Sequence, residues 1–100
     1  MEKLIEEIKK FNEERGWGKY HTPENLTKSI SIEAAELLEC FQWDGENFNK
    51  QDVCDELADV FTYCLQMAIT LGVNPEEIIL QKLEKTKKKY PVEECKENEK

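Results

Sequence analysis

This sequence is short of the features that mark membrane, secreted, zinc-binding and sheet proteins. No apolar run approaches the roughly 18 residues needed to cross a bilayer. The stretch from Met1 to Phe11 is charged and amphipathic, without the apolar centre of a signal peptide. A cytoplasmic protein with no membrane partner is expected. The four cysteines, Cys40, Cys54, Cys64 and Cys95, form no Cys-x-x-Cys pair, and the first three fall in apolar helical stretches. They read as reduced residues behaving like small hydrophobes. No period-two alternation persists and no repeat is visible, which leaves no pattern for a sheet. Positive charge is also scarce: 14 Lys and Arg face 22 Asp and Glu, a net charge of −8. That balance repels phosphate backbones and argues against a nucleic-acid partner. It still permits a small polyphosphate held through divalent cations.

What is present is helical. The 100 residues make one domain at most, and a chain of that size buries only about two thirds of its unfolded surface. With 39% hydrophobic residues in broad stripes, self-association is the economical way to cover the remainder, so a homo-oligomer is expected. Leu4, Ile5, Ile8 and Phe11 have helical spacing, and Gly16 stops that first helix. Thr22-Pro23 is an N-cap followed by proline at the first helical position, predicting a second helix over 23–41. A polar stretch over 42–49 precedes a third helix over 50–71, capped by Asn49 and ended by Gly72. Asn74-Pro75-Glu76-Glu77 starts a fourth, which runs to Lys89 before the Tyr90-Pro91 step. The expectation is an all-α four-helix bundle over residues 1–91. Residues 92–100 read as a charged tail with nothing to bury.

Glu33-Ala34-Ala35-Glu36 and Glu56-Leu57-Ala58-Asp59 each place two carboxylates three residues apart on one side of a helix. In so acidic a chain that spacing alone means little. Position around the helix means more. Glu33 falls inside the apolar stripe of Leu26, Ile30, Ala34, Leu37 and Phe41, with Glu36 at its border. Glu56 lies among the apolar residues of the third helix, flanked by Asp59. A charge on a core-facing stripe must be salt-bridged, protonated or metal-bound. The cations at hand, Lys28 and Lys50, stand near helix ends far from the acidic pairs, which favours metal. Four carboxylates without imidazole or thiolate suit Mg²⁺, or Mn²⁺ as substitute. A carboxylate-bridged iron pair normally uses Glu-x-x-His, and the one histidine, His21, is at neither motif. Such a site suits hydrolysis at phosphorus, with either Glu33 or Glu36 taking a proton from the attacking water.

Trp17 stands between two glycines in a polar loop with Tyr20 and His21 behind it, as a stacking surface or as a loop anchor. His21 either hydrogen-bonds a ligand or supports the Thr22 cap. Tyr63, one turn beyond Asp59 and on the side of Glu56, either reaches a bound ligand or packs in the core. The run Lys85, Lys87, Lys88 and Lys89 reads first as favourable charge at a helix C-terminus.

The paired motifs Glu33-x-x-Glu36 and Glu56-x-x-Asp59 resemble the signature of the all-α nucleoside triphosphate pyrophosphatases, the MazG-like superfamily. The run from Phe11 through Trp17 and His21 to Leu26, the pair Phe41 and Trp43, Asp59 to Tyr63, and Lys89 to Pro91 extend the likeness to its dCTP pyrophosphatase branch. The resemblance implies Mg²⁺-dependent hydrolysis of a nucleotide to monophosphate and pyrophosphate. It also implies a homo-oligomer, commonly a tetramer with a dimer as the other arrangement, whose sites lie between subunits. Glu33, Glu36, Glu56 and Asp59 would hold metal; Trp17, Gly18, Lys19, Tyr20, His21, Trp43 and Tyr63 would surround the nucleotide; Lys82 and Lys89 would lie near its phosphates. Ile8 replaces a histidine that similar enzymes can carry, and Thr86 an asparagine they commonly have. The competing reading is a non-catalytic acidic helical module that oligomerises and binds a protein.

Overall fold

A computed structural model describes residues 1–98. Among them are five α-helices and no strand: α1 (Glu2–Arg15), α2 (Pro23–Glu39), α3 (Lys50–Leu71), α4 (Pro75–Lys89) and α5 (Val92–Asn98), with a 3₁₀ turn at Gly18–Tyr20. The boundaries follow from local chemistry. Thr22 Oγ1, Asn49 Oδ1 and Asn74 Oδ1 accept the backbone N–H of Asn25, Asp52 and Glu77, each at 3.1 Å, and so cap α2, α3 and α4. Gly16 (φ 63°) and Gly72 (φ 69°) take the left-handed conformation that ends α1 and α3.

Three features depart from the sequence reading. Helix α2 stops at Glu39, not Phe41: Cys40 and Phe41 tighten into turns bonded to Leu37 and Leu38, and the Phe41 ring packs on Phe48 at 4.9 Å. The supposed tail forms α5, where Glu93 and Glu94 meet the positive end of the helix and the Pro91 carbonyl accepts the Cys95 N–H. Glu99 and Lys100, also assigned to that tail, lie outside the described residues. Cys54 and Cys64 are exposed in the single chain, and only Cys40 among the first three cysteines is half-buried.

Four helices do not close into a bundle within one chain. α2 packs along α3, α1 packs on α3, and no pairing that involves α4 approaches these in extent. The radius of gyration is 17.2 Å, against about 13 Å for a compact chain of this length. Among the described residues Ile8, Leu26 and Ala68 are the buried apolar ones, joined by the polar pair Asn12 and Gln66. Ile78, Ile79, Leu80 and Leu83 on α4 and Phe61 on α3 are exposed. No helix among the described residues is long and apolar enough to cross a membrane.

Candidate metal centre

The antiparallel hairpin of α2 and α3 decides where the acidic pairs meet. Glu33 and Glu56 both sit on stripes that face the opposing helix, so their carboxyls are carried into the seam. One oxygen each of Glu33, Glu56 and Asp59 lie within 4.8 Å of one another. Glu36 lies outside that trio but close beside it, near enough for its carboxyl to raise both Glu33 and Glu56. Glu33 and Glu56 are half-buried, and Oε2 of each is sealed from solvent without a hydrogen-bond donor.

Among the described residues no cation pairs with them: the ion pairs are Lys9–Glu6, Arg15–Glu14, Lys28–Glu24 and Lys87–Glu84, and none includes a member of this cluster. Burial, the adjacent Glu36 carboxyl and repulsion from Asp59 and Glu56 push the Glu33 carboxyl up to about 7. Burial and the same neighbour raise Glu56. Two orphaned oxygens in an all-carboxylate seam fit a hard divalent cation, which supplies the positive charge the chain withholds.

This predicts an unusual pH response for the metal-free chain. Glu33 titrates near 7 when folded and near 4.5 when unfolded, so between those values the folded state binds more protons and stability falls as pH rises. In EDTA the melting midpoint should drop from about pH 5 to about pH 7.5 and level off above. Circular dichroism melts check it; a midpoint that climbs across that window would contradict the arrangement.

The other expected site residues are not all drawn to the carboxylates. Tyr63 is half-buried one turn beyond Asp59. The Trp17–His21 loop instead lies at the far end of α3, where Thr70 Oγ1 donates to the His21 carbonyl at 3.2 Å. Thr70 is eleven residues past Asp59, or roughly 16 Å along the axis. Trp17 is half-exposed and packs edge-on against Phe11 at 5.2 Å. Within the 3₁₀ turn that begins at Gly18, Lys19 Nζ sits 5.1 Å from the Tyr20 ring. Trp43 is 90% exposed, beside a turn locked by Asp44, whose carboxylate accepts the N–H of Glu46 and Asn47 and the Asn47 side-chain amide. Lys82 and Lys89 are exposed on α4, with Lys89 Nζ 5.6 Å from the Tyr90 ring. The sequence reading passed over Asn12 and Gln66, although a glutamine flanked by Leu65 and Met67 is a polar break in an apolar run.

The sequence model of the MazG-like family matches residues 28–100. The human protein dCTP pyrophosphatase 1 is 31% identical over 103 residues, and its mouse counterpart 28% identical over 104. These alignments cover 90% and 91% of this chain but 61% of each relative, so the chain spans about three fifths of the length of the curated proteins it matches. The crystal structure of a pyrophosphatase from Archaeoglobus fulgidus superimposes with a TM-score of 0.81 at 42% identity, covering 91% of this chain and 92% of that one.

Proposed function

The chain belongs to the MazG-like family, and from that premise we propose that it is a nucleoside triphosphate pyrophosphatase. Its substrate is a (deoxy)nucleotide, dCTP or a related pyrimidine, cleaved in the cytoplasm to monophosphate and pyrophosphate. The observation that carries the reading is the meeting of Glu33, Glu56 and Asp59 around two orphaned carboxylate oxygens. Likeness to proteins described as dCTP pyrophosphatase 1 and as a pyrophosphatase supports the same activity. Residues 1–91 form the working unit and 92–100 an appendage.

Glu33, Glu36, Glu56 and Asp59 would hold Mg²⁺, with Mn²⁺ as substitute, and an ion bound there would supply positive charge against the triphosphate and a position for water. The chain's own contribution is a proton acceptor. Glu33, held near neutrality by its surroundings, or Glu36, which lies beside both Glu33 and Glu56, accepts the proton of the attacking water. Tyr63 reaches the substrate from the same helix as Asp59. The loop Trp17, Gly18, Lys19, Tyr20 and His21 is held near the far end of α3 from the carboxylates, and Lys82 and Lys89 are exposed on α4, which packs little against its own chain. They therefore act on the site of a neighbouring copy, within a homo-oligomer for which a tetramer is the favoured state. The exposed apolar face of α4 and the thin core support that assembly.

The test is incubation of pure protein with each dNTP, dUTP and 5-methyl-dCTP in Mg²⁺, with pyrophosphate distinguished from orthophosphate. Monophosphate plus pyrophosphate is the expected product pair; no turnover across the panel would return the chain to an acidic interaction module. Trp17→Ala should raise KM more than it lowers kcat, since it removes a stacking surface and no reacting group. An unchanged KM in steady-state kinetics would leave Trp17 as the loop anchor that its Phe11 contact also describes.

A further inference from the structure

The seam between α1 and α3 has little apolar content: Ile8 and Asn12 are the buried residues of α1, Gln66 and Ala68 those of α3. Across it Gln66 Nε2 donates to Asn12 Oδ1 at 3.3 Å, with the two residues only 4% and 9% exposed. Gln66 Oε1 is sealed in and accepts from nothing among the described residues. A polar pair with an acceptor left over stabilises a seam less than two apolar side chains of similar volume would. What it supplies is register. Apolar faces can slide past one another, whereas a slide of α1 by one turn, about 5.4 Å, would leave both amides buried and unpaired.

Asn12 also begins the Trp17–His21 loop. Its carbonyl accepts the Trp17 N–H at 3.0 Å, so the residue whose side chain keys α1 to α3 holds the loop through its backbone. One turn beyond Gln66 on the same face of α3, Thr70 Oγ1 donates to the His21 carbonyl at 3.2 Å and takes the other end. Between these points the loop closes on itself, with Tyr20 N–H on the Trp17 carbonyl at 2.9 Å and His21 N–H on the Gly18 carbonyl at 3.1 Å. Asn25 Nδ2, on α2, donates to the Tyr20 carbonyl at 3.1 Å. Three helices thus hold one loop. Resting on the pyrophosphatase reading, in which this loop surrounds the nucleotide, we infer that Asn12, Gln66 and Thr70 are positioning residues that fix α1 on α3 and present Trp17 to the nucleotide already ordered. None of the three has to touch the substrate. A loose loop would have to be ordered at the moment of binding, at the expense of affinity; a loop ordered during folding is not.

The experiment measures kcat and KM for the dNTP turned over fastest, deuterium uptake over 16–22 and circular dichroism melts in wild type, Gln66→Met, Thr70→Val and Thr70→Ser. The kinetics are repeated with Trp17→Ala added to each. Gln66→Met and Thr70→Val keep the volume and remove the donor. Each should raise KM about threefold to tenfold, the worth of one uncharged hydrogen bond, with kcat changed less than about threefold and uptake over 16–22 faster. Thr70→Ser keeps the hydroxyl and should match wild type. Added to Trp17→Ala, neither substitution should raise KM further, because a loop without its indole has nothing left to present. That non-additivity separates positioning from a general loosening of the fold. Thr70 is exposed, so Thr70→Val decides the matter if Gln66→Met fails to fold. An unchanged KM in Thr70→Val, the same rise in KM with Trp17 absent, or an unchanged KM in Trp17→Ala itself overturns the assignment while leaving the pyrophosphatase intact. A wild type inert toward every dNTP overturns the pyrophosphatase reading and this assignment with it.

Discussion

Glu36→Gln is expected to lower kcat by about 100- to 10,000-fold, the usual contribution of a positioned general base, while the protein stays folded. Glu36 stands beside two carboxyls raised first by burial and then by its presence. Replacing it by the amide of the same shape removes a negative charge from the seam. It also brings an N–H₂ donor within reach of Glu33 and Glu56, whose Oε2 atoms have none. The variant should therefore lose turnover and, without metal at pH 8, melt no lower than wild type. Steady-state assay of pyrophosphate release and a paired melting curve read both effects. Normal turnover would take Glu36 out of the chemistry and leave Glu33 as the proton acceptor.

The second large effect concerns α4. Ile79 and Leu83 are 55% and 46% exposed, one turn apart on a helix that packs little against its own chain. Changing both to aspartate should do little to an isolated chain, because neither side chain supports its own core. In the proposed oligomer it would place two unpaired charges per copy against an apolar surface, at several kcal/mol each. Light scattering behind size exclusion should report a shift to monomer, accompanied by at least a tenfold fall in activity if Lys82 and Lys89 serve a neighbour's site. An unaltered mass would show that this face is not where copies meet.

How much of this could be read beforehand depends on the range of the forces involved. The bounds of α3 were legible because Asn49 and Gly72 act within one turn of themselves. The carboxylate seam was legible in part, since Glu33 and Glu56 interrupt apolar stripes and a buried charge demands a cause. The α5 helix was not: its seven residues lack an apolar period, and its start rests on Pro91 and on charge near the helix end. The isolation of α4 was equally hidden, because an amphipathic face has the same pattern whether its own chain or another covers it. Nor does spacing reveal that Thr70 holds the Trp17–His21 loop at the far end of α3. That contact joins residues forty-nine positions apart.

The turn after α2 bears on how fast and how tightly anything can be gripped there. The Asp44 carboxylate accepts two backbone N–H groups and the Asn47 side-chain amide, bracing the turn beside Trp43 while its indole stays in water. An aromatic on so braced a segment has already surrendered most of its backbone freedom during folding. Little ordering is left to oppose association, and contact with a flat partner can form at the first productive encounter, without a search for loop conformation.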